Sequence, residues 1–107
     1  MIARVWTARA TPANAPAYAE HLRDEVIPGL RSIDGYHGAR LLQRQAGEEI
    51  EIVVVTWWQS LETIHGFAGD DIGSAVVTDH AATLLTGFDE RVLHYELILS
   101  DEATERR

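Results

Sequence analysis

His94 is the side chain in this sequence best suited to proton transfer. It lies two residues from Glu96, and in an extended segment that spacing puts both on one face. With an ordinary pKa of about 6.5, an imidazole there can take a proton from a phenol as a general base. The same pattern also suits a buried or interface histidine paired with Glu96 or with a first-strand residue such as Arg4. His65 follows Ile64 on a predicted helix beside Phe67, at a pocket mouth or in solvent, while His21 and His37 read as surface residues. No two histidines combine with a carboxylate at metal-site spacing, and the sequence calls for neither a metal nor a cofactor.

Binding chemistry rests on the aromatics. Trp6, Tyr36, Trp58 and Phe67, with His65, are candidate substrate-binding residues that would wall a pocket for a planar hydrophobic ligand. Core packing is the competing role for Trp57 and Trp58. Arg40 and Arg44 alternate on a predicted strand, where they neutralise an oxyanion or keep a sheet edge soluble. Ser60 reads as a helix cap, because no His-Asp pattern accompanies it as it would a nucleophile.

The elements that must position these residues centre on Glu49 to Gln59, whose β-branched run reads as a strand. Ile50, Ile52, Val54, Thr56 and Trp58 point one way; Glu51, Val53, Val55, Trp57 and Gln59 point the other. Both faces are largely apolar, so a sheet centred here needs cover on both sides. Before it, Ile2 to Arg9 reads as a strand, and Tyr18, Leu22 and Val26 mark an amphipathic helix from Ala15 to Ile27, stopped by Pro28-Gly29. Tyr36 to Gln45 is a second strand, joined to the central one by a tight, and therefore antiparallel, hairpin. A helix from Leu61 to Ala68 follows, with Leu61, Ile64, Phe67 and Ala68 on one side. Ile72 to Thr78 is ambiguous, Asp79 to Leu85 is a short helix, and Phe88 to Ser100 is a long last strand.

Composition sets the bounds. The 107 residues make one domain, read as residues 1–100 with a frayed polar tail at 101–107. A formal charge of −8, without basic residues interleaved with aromatics, argues against nucleic acid and anionic membrane as partners. The absence of Cys removes disulfides and thiol chemistry together. Met1 to Ala10 has no apolar signal core and no run approaches membrane-spanning length, so a soluble cytoplasmic protein is expected.

The order β-α-β-β-α-(α)-β predicts an α+β, ferredoxin-like fold: a four-stranded antiparallel sheet with its main helices on one face. The other face would stay bare and apolar. At ~25 cal/mol per Å², covering even ~600 Å² contributes on the order of 15 kcal/mol before association costs. A two-fold homodimer through the sheet face is the expected solution, giving a dimeric α+β barrel.

Several stretches carry a family likeness: Thr56-Trp57-Trp58-Gln59-Ser60-Leu61-Glu62, Phe67-Ala68-Gly69-Asp70-Asp71 followed by Ala75-Val76-Val77, and Phe88 to Glu96. With the element order, they make the chain resemble the antibiotic biosynthesis monooxygenase-like, dimeric α/β-barrel proteins. That resemblance implies a pocket between sheet and helices. It also implies either a cofactor-free oxygenase acting on polycyclic phenols or a haem-binding, haem-degrading enzyme. The haem-degrading members use an Asn on the first strand, a Trp on the second helix and a His on the next. Trp6, Phe67 and Val77 stand at those places here, with His80 one helical turn beyond. The functional expectation is a cofactor-independent monooxygenase for a planar aromatic or polyketide-like phenol, with His94 catalytic. A non-catalytic dimeric module that binds a small ligand or a partner is the alternative, with haem binding third.

Overall fold

The computed structural model describes residues 1–103. Strands β1 (Ile2–Ala10), β2 (Tyr36–Ala46) and β3 (Glu49–Trp58) form an antiparallel sheet in the order β2-β3-β1. Two short strands, β4 (Gly87–Phe88) and β5 (Leu93–Glu96), both pair with the far edge of β1 and together take the place of a fourth strand. The helical segments cover one face, and the fold is the expected α+β, ferredoxin-like one.

Two glycines set the connections around β2. Gly47, with φ of +66°, turns the two-residue β2–β3 hairpin, which closes on the pair Ala46–Glu49. Gly35, with φ of +91°, brings its backbone against Thr63, where a Cβ would sit 2.5 Å from the side chain. Its carbonyl accepts the Gln59 N–H at 2.8 Å, tying the entry of β2 to the exit of β3.

Burial settles the two faces of β3. Ile50, Ile52, Val54, Thr56 and Trp58 are buried, while the alternate residues are half-exposed. The buried set packs under the helices. Tyr18 and Leu22 meet Ala8, Ile52 and Val54, while Leu30 and Ile64 meet Trp58, which is 0% exposed. Register places Val5, Leu42, Val53, Val55, Trp57, Leu93 and Tyr95 on the other face. Leu42, Leu93 and Tyr95 are exposed there, and Val5, Val53, Val55 and Trp57 are half-exposed.

Three expectations about the elements change. The first helix does not stop at Pro28. It runs from α1 (Ala15–His21) through a π-helical stretch (Leu22–Val26) into α2 (Ile27–Leu30). The Ile27 N–H reaches back five residues to the Leu22 carbonyl, and this wider turn lets Pro28, which has no N–H, enter the opening turn of α2. Leu61 is exposed rather than inward: the second helix opens as a 3₁₀ turn (Glu62–Ile64) before α3 (His65–Ala68), which rotates its first residues away from the core. The residue flanking the 3₁₀ turn is Leu61 rather than the expected Ser60, although Ser60 Oγ accepts the Thr63 N–H at 3.4 Å.

The last strand is not continuous. Asp89 still donates its N–H to the Thr7 carbonyl of β1 at 2.9 Å, but residues 90–92 leave β1 to bond with the segment before α4 (Asp79–Leu84): Ala75 N–H donates to the Glu90 carbonyl at 2.8 Å, and Val92 N–H to the Gly73 carbonyl at 2.9 Å. In the ambiguous segment 72–78, Ile72 and Gly73 form a turn, Ser74 bridges Arg91, and residues 75–78 run without helix to the cap of α4, where Thr78 Oγ1 accepts the Ala81 N–H at 3.0 Å. Beyond Glu96 no strand continues to Ser100 among the described residues. Of the polar tail read at 101–107, residues 104–107 lie outside the described residues; Asp101, Glu102 and Ala103 are exposed and belong to no regular element. No helix among the described residues is long and apolar enough to cross a membrane.

Candidate functional site

A cavity of about 300 Å³ opens between the sheet and the helices. β1 supplies its floor with Arg4 and Trp6, which alternation puts on the helix-facing side with Ile2 and Ala8. The first helix supplies a wall with Tyr18 and His21, the second helix supplies Phe67, and Val77 and Thr78 close it ahead of α4. Most of the remaining lining is aliphatic.

The polar groups in this apolar chamber are few. Arg4 is only 4% exposed. Its Nη1 donates to the Ile72 carbonyl and, at 3.1 Å, to Nε2 of His94; its Nη2 donates to the Ser74 carbonyl at 2.7 Å. The guanidinium also lies 5.5 Å from the centre of the Phe67 ring, within cation–π range. Burial lowers its pKa to about 10, which leaves it charged at neutral pH.

His21 is 6% exposed, although the sequence places it on the surface. Three residues past Tyr18 and one before Leu22, it falls on the inner stripe of the helix, where a helical projection would have found it. Its Nε2 meets Thr78 Oγ1 at 2.8 Å, and His80 stacks edge-on at 4.8 Å. Its buried Nδ1 has no hydrogen-bond partner among the described residues. Tyr18 lines the cavity beside it, and burial pushes its phenol pKa well up.

Of the residues singled out from sequence, Trp6 and Phe67 line the cavity. The Trp6 ring lies between Tyr18 at 6.0 Å and Phe88 at 6.1 Å, and its Nε1 donates to the Asp89 carbonyl at 2.8 Å. Trp58 and Tyr36 stand one layer back: Trp58 stacks on Phe67 at 5.9 Å and meets Tyr36 edge-on at 5.5 Å. His65 is exposed and its Nδ1 bonds the Gly69 carbonyl at 2.8 Å, outside the cavity. His94 is half-exposed and reaches the cavity only through Arg4. Arg40 and Arg44 face the open side of the sheet, where Arg44 pairs with Glu51 at 2.9 Å. No group of three or more potential metal-ligating side chains gathers among the described residues.

An arginine can only donate, so His94 Nε2 accepts and the imidazole is neutral in this arrangement. Burial, chiefly, and the Arg4 charge both hold its pKa below the usual 6.5. A folded-state pKa below the unfolded one leaves stability intact above the unfolded value and erodes it as pH falls through that value toward the folded one. Between about pH 7 and pH 5 the wild type is therefore expected to lose more stability than His94→Gln. Urea denaturation at the two pH values checks this, and equal losses would remove the Arg4–His94 contact as a titrating pair.

The sequence model of the antibiotic biosynthesis monooxygenase family matches residues 1–71, and the chain belongs to that family. No curated protein matches it. A Bacillus cereus protein described as a candidate antibiotic biosynthesis monooxygenase is similar in fold, at 17% identity and a TM-score of 0.68 over 95% of this chain and 97% of its own. MhuD from Mycobacterium tuberculosis, a haem degrader solved with two haems in its active site, is 23% identical at a TM-score of 0.62, covering 95% of this chain and 100% of MhuD. The monooxygenase ActVA-Orf6 of Streptomyces coelicolor, solved with nanaomycin D, is 16% identical at 0.61, covering 98% and 92%.

The residues around this cavity do not match the haem-binding set that the family resemblance implies. Val77, which lines the cavity at the place of the expected ligand, offers no donor. His21, the imidazole lining it among the described residues, stands on the first helix with Nε2 held by Thr78 and only a buried Nδ1 left over. No haem chemistry is assigned to it.

Proposed function

We propose that the chain is a cofactor-independent monooxygenase for a planar aromatic or polyketide-like phenol, acting as a homodimer through the open sheet face. The observation that carries this reading is the apolar cavity with a buried cation on its floor and, on its wall, an imidazole whose Nδ1 has no partner among the described residues. In the tautomer whose Nε2–H donates to Thr78, His21 Nδ1 keeps a lone pair that is buried, and a bound phenol must uncover it to hand over its proton. Arg4 stabilises the oxyanion so formed, and His94 holds Arg4 in place. The electron-rich carbon then gives an electron pair to O₂. The resulting hydroperoxide loses water to leave a carbonyl, so one oxygen atom enters the product and the other leaves as water. Trp6 and Phe67 flank the ring system.

The expected result is oxygen uptake with an anthrone or quinol, reduced about 10²-fold in His21→Phe. An oxygen electrode reads both. No uptake above background across a panel of anthrones and quinols would remove the oxygenase reading. Retained binding of the same compounds would then assign a non-catalytic ligand-binding module.

A further inference from the structure

Arg4 lacks a counter-ion. The partners of its guanidinium are two backbone carbonyls and a neutral imidazole, and among the described residues no carboxylate lies within ion-pair distance of it. Its Nε–H and one Nη2–H remain unassigned. Glu25, the one carboxylate lining the cavity, is exposed and does not pair with it. Holding a cation 4% exposed without a negative partner costs several kcal/mol in general, and chains rarely retain the arrangement without a use. Arginine is also the side chain whose fixed fork best matches a carboxylate or a delocalised oxyanion.

From this geometry we infer that the cavity takes a ligand that is already an anion: a planar hydrophobic acid whose negative oxygen, from a carboxylate or a strongly acidic enol, sits on the free edge of Arg4. The inference rests on the cavity being the ligand site and goes further by fixing the ligand's charge; for a substrate that arrives ionised at Arg4, the proton transfer assigned to His21 is not needed. The protein's own field does not supply such a preference, because a formal charge of −8 repels anions at long range. An anion bound here is selected locally. His94 then has a positioning role: by occupying one Nη1 hydrogen it keeps the Nε edge turned to the cavity.

Binding distinguishes this from the oxygenase reading, since it is measured with no turnover. Quenching of tryptophan fluorescence is titrated with anthracene-2-carboxylate and with its neutral analogue 2-(hydroxymethyl)anthracene. The wild type is expected to bind the carboxylate about tenfold or more tightly than the alcohol. The preference should persist in about 1 M salt, which strips surface attraction and leaves a buried pair largely intact. In Arg4→Gln the two affinities should converge, with circular dichroism reporting the fold. Equal wild-type affinities, a preference lost in high salt, or one kept in folded Arg4→Gln would each overturn the inference. Where Arg4→Gln does not fold, the wild-type pair and its salt dependence decide alone.

Discussion

Val55→Glu is expected to scatter light as a single chain at micromolar concentration, where the wild type scatters as twice the chain mass. Val55 lies mid-strand on the open face, opposite Val5 on one side and Arg40 on the other. Around it Val53, Trp57, Leu93 and Tyr95 form an apolar surface that none of the helical segments covers. A carboxylate placed at the centre of that face is taken out of water with only Arg40, opposite it on β2, to pair with, and two-fold symmetry introduces it twice. The dimer should lose about 4 kcal/mol or more, roughly a thousandfold in dissociation constant. The protomer keeps its own core on the opposite face, so its circular dichroism should change little. A wild type that scatters as one chain, or a variant that still scatters as two, would remove the sheet-face dimer.

The second large effect is on stability. Trp58→Ala is expected to cost about 3–5 kcal/mol, a sizeable share of the 5–15 kcal/mol typical of a domain. Trp58 is fully buried and packs between Tyr36 and Phe67 beside Leu30 and Ile64. Its Nε1 donates to Thr56 Oγ1 at 2.8 Å, so truncation also strips a buried hydroxyl of its partner. Phe67 loses its backing at the same time, so the cavity wall should loosen. The midpoint of urea denaturation reads the loss, and an unchanged midpoint would contradict the packing role. Trp57→Ala, on the open face, should act mainly on association.

The contrast between those neighbouring tryptophans marks where sequence reading reaches and where it stops. Two-residue alternation in β3 shows that both faces are apolar, and the order of elements shows that one belongs to the helices and the other does not. Which is which depends on the register with β1, and Thr56, polar yet buried beside half-exposed Val55, gives no help by type. The Phe88 to Ser100 run alternates without a break, so nothing local announces that residues 90–92 find backbone partners in the segment before α4. Pro28 misleads for a related reason, because a π turn removes the need for the hydrogen bond that proline cannot make. Much of the cavity's polar chemistry was hidden the same way. Arg4 is visible as a strand residue beside Trp6, but its isolation from carboxylates is a property of the folded chain. His21 sits on the flank of a stripe defined by Tyr18 and Leu22, where hydrophobicity counts for more than position.

β1 opens the chain, yet every strand that pairs with it comes later in the sequence. On one side it pairs with β3, and on the other with β4 and β5, which come from the last quarter of the described residues. The β2–β3 hairpin closes over two residues and can form early; the strand bearing Arg4 and Trp6 must wait for loop closures several times longer. Arg4 is then fixed by Ile72, Ser74 and His94, all further along the chain. During synthesis Arg4 therefore cannot reach its final set of partners until His94 has emerged, so the floor of the cavity is completed only near the end of the chain.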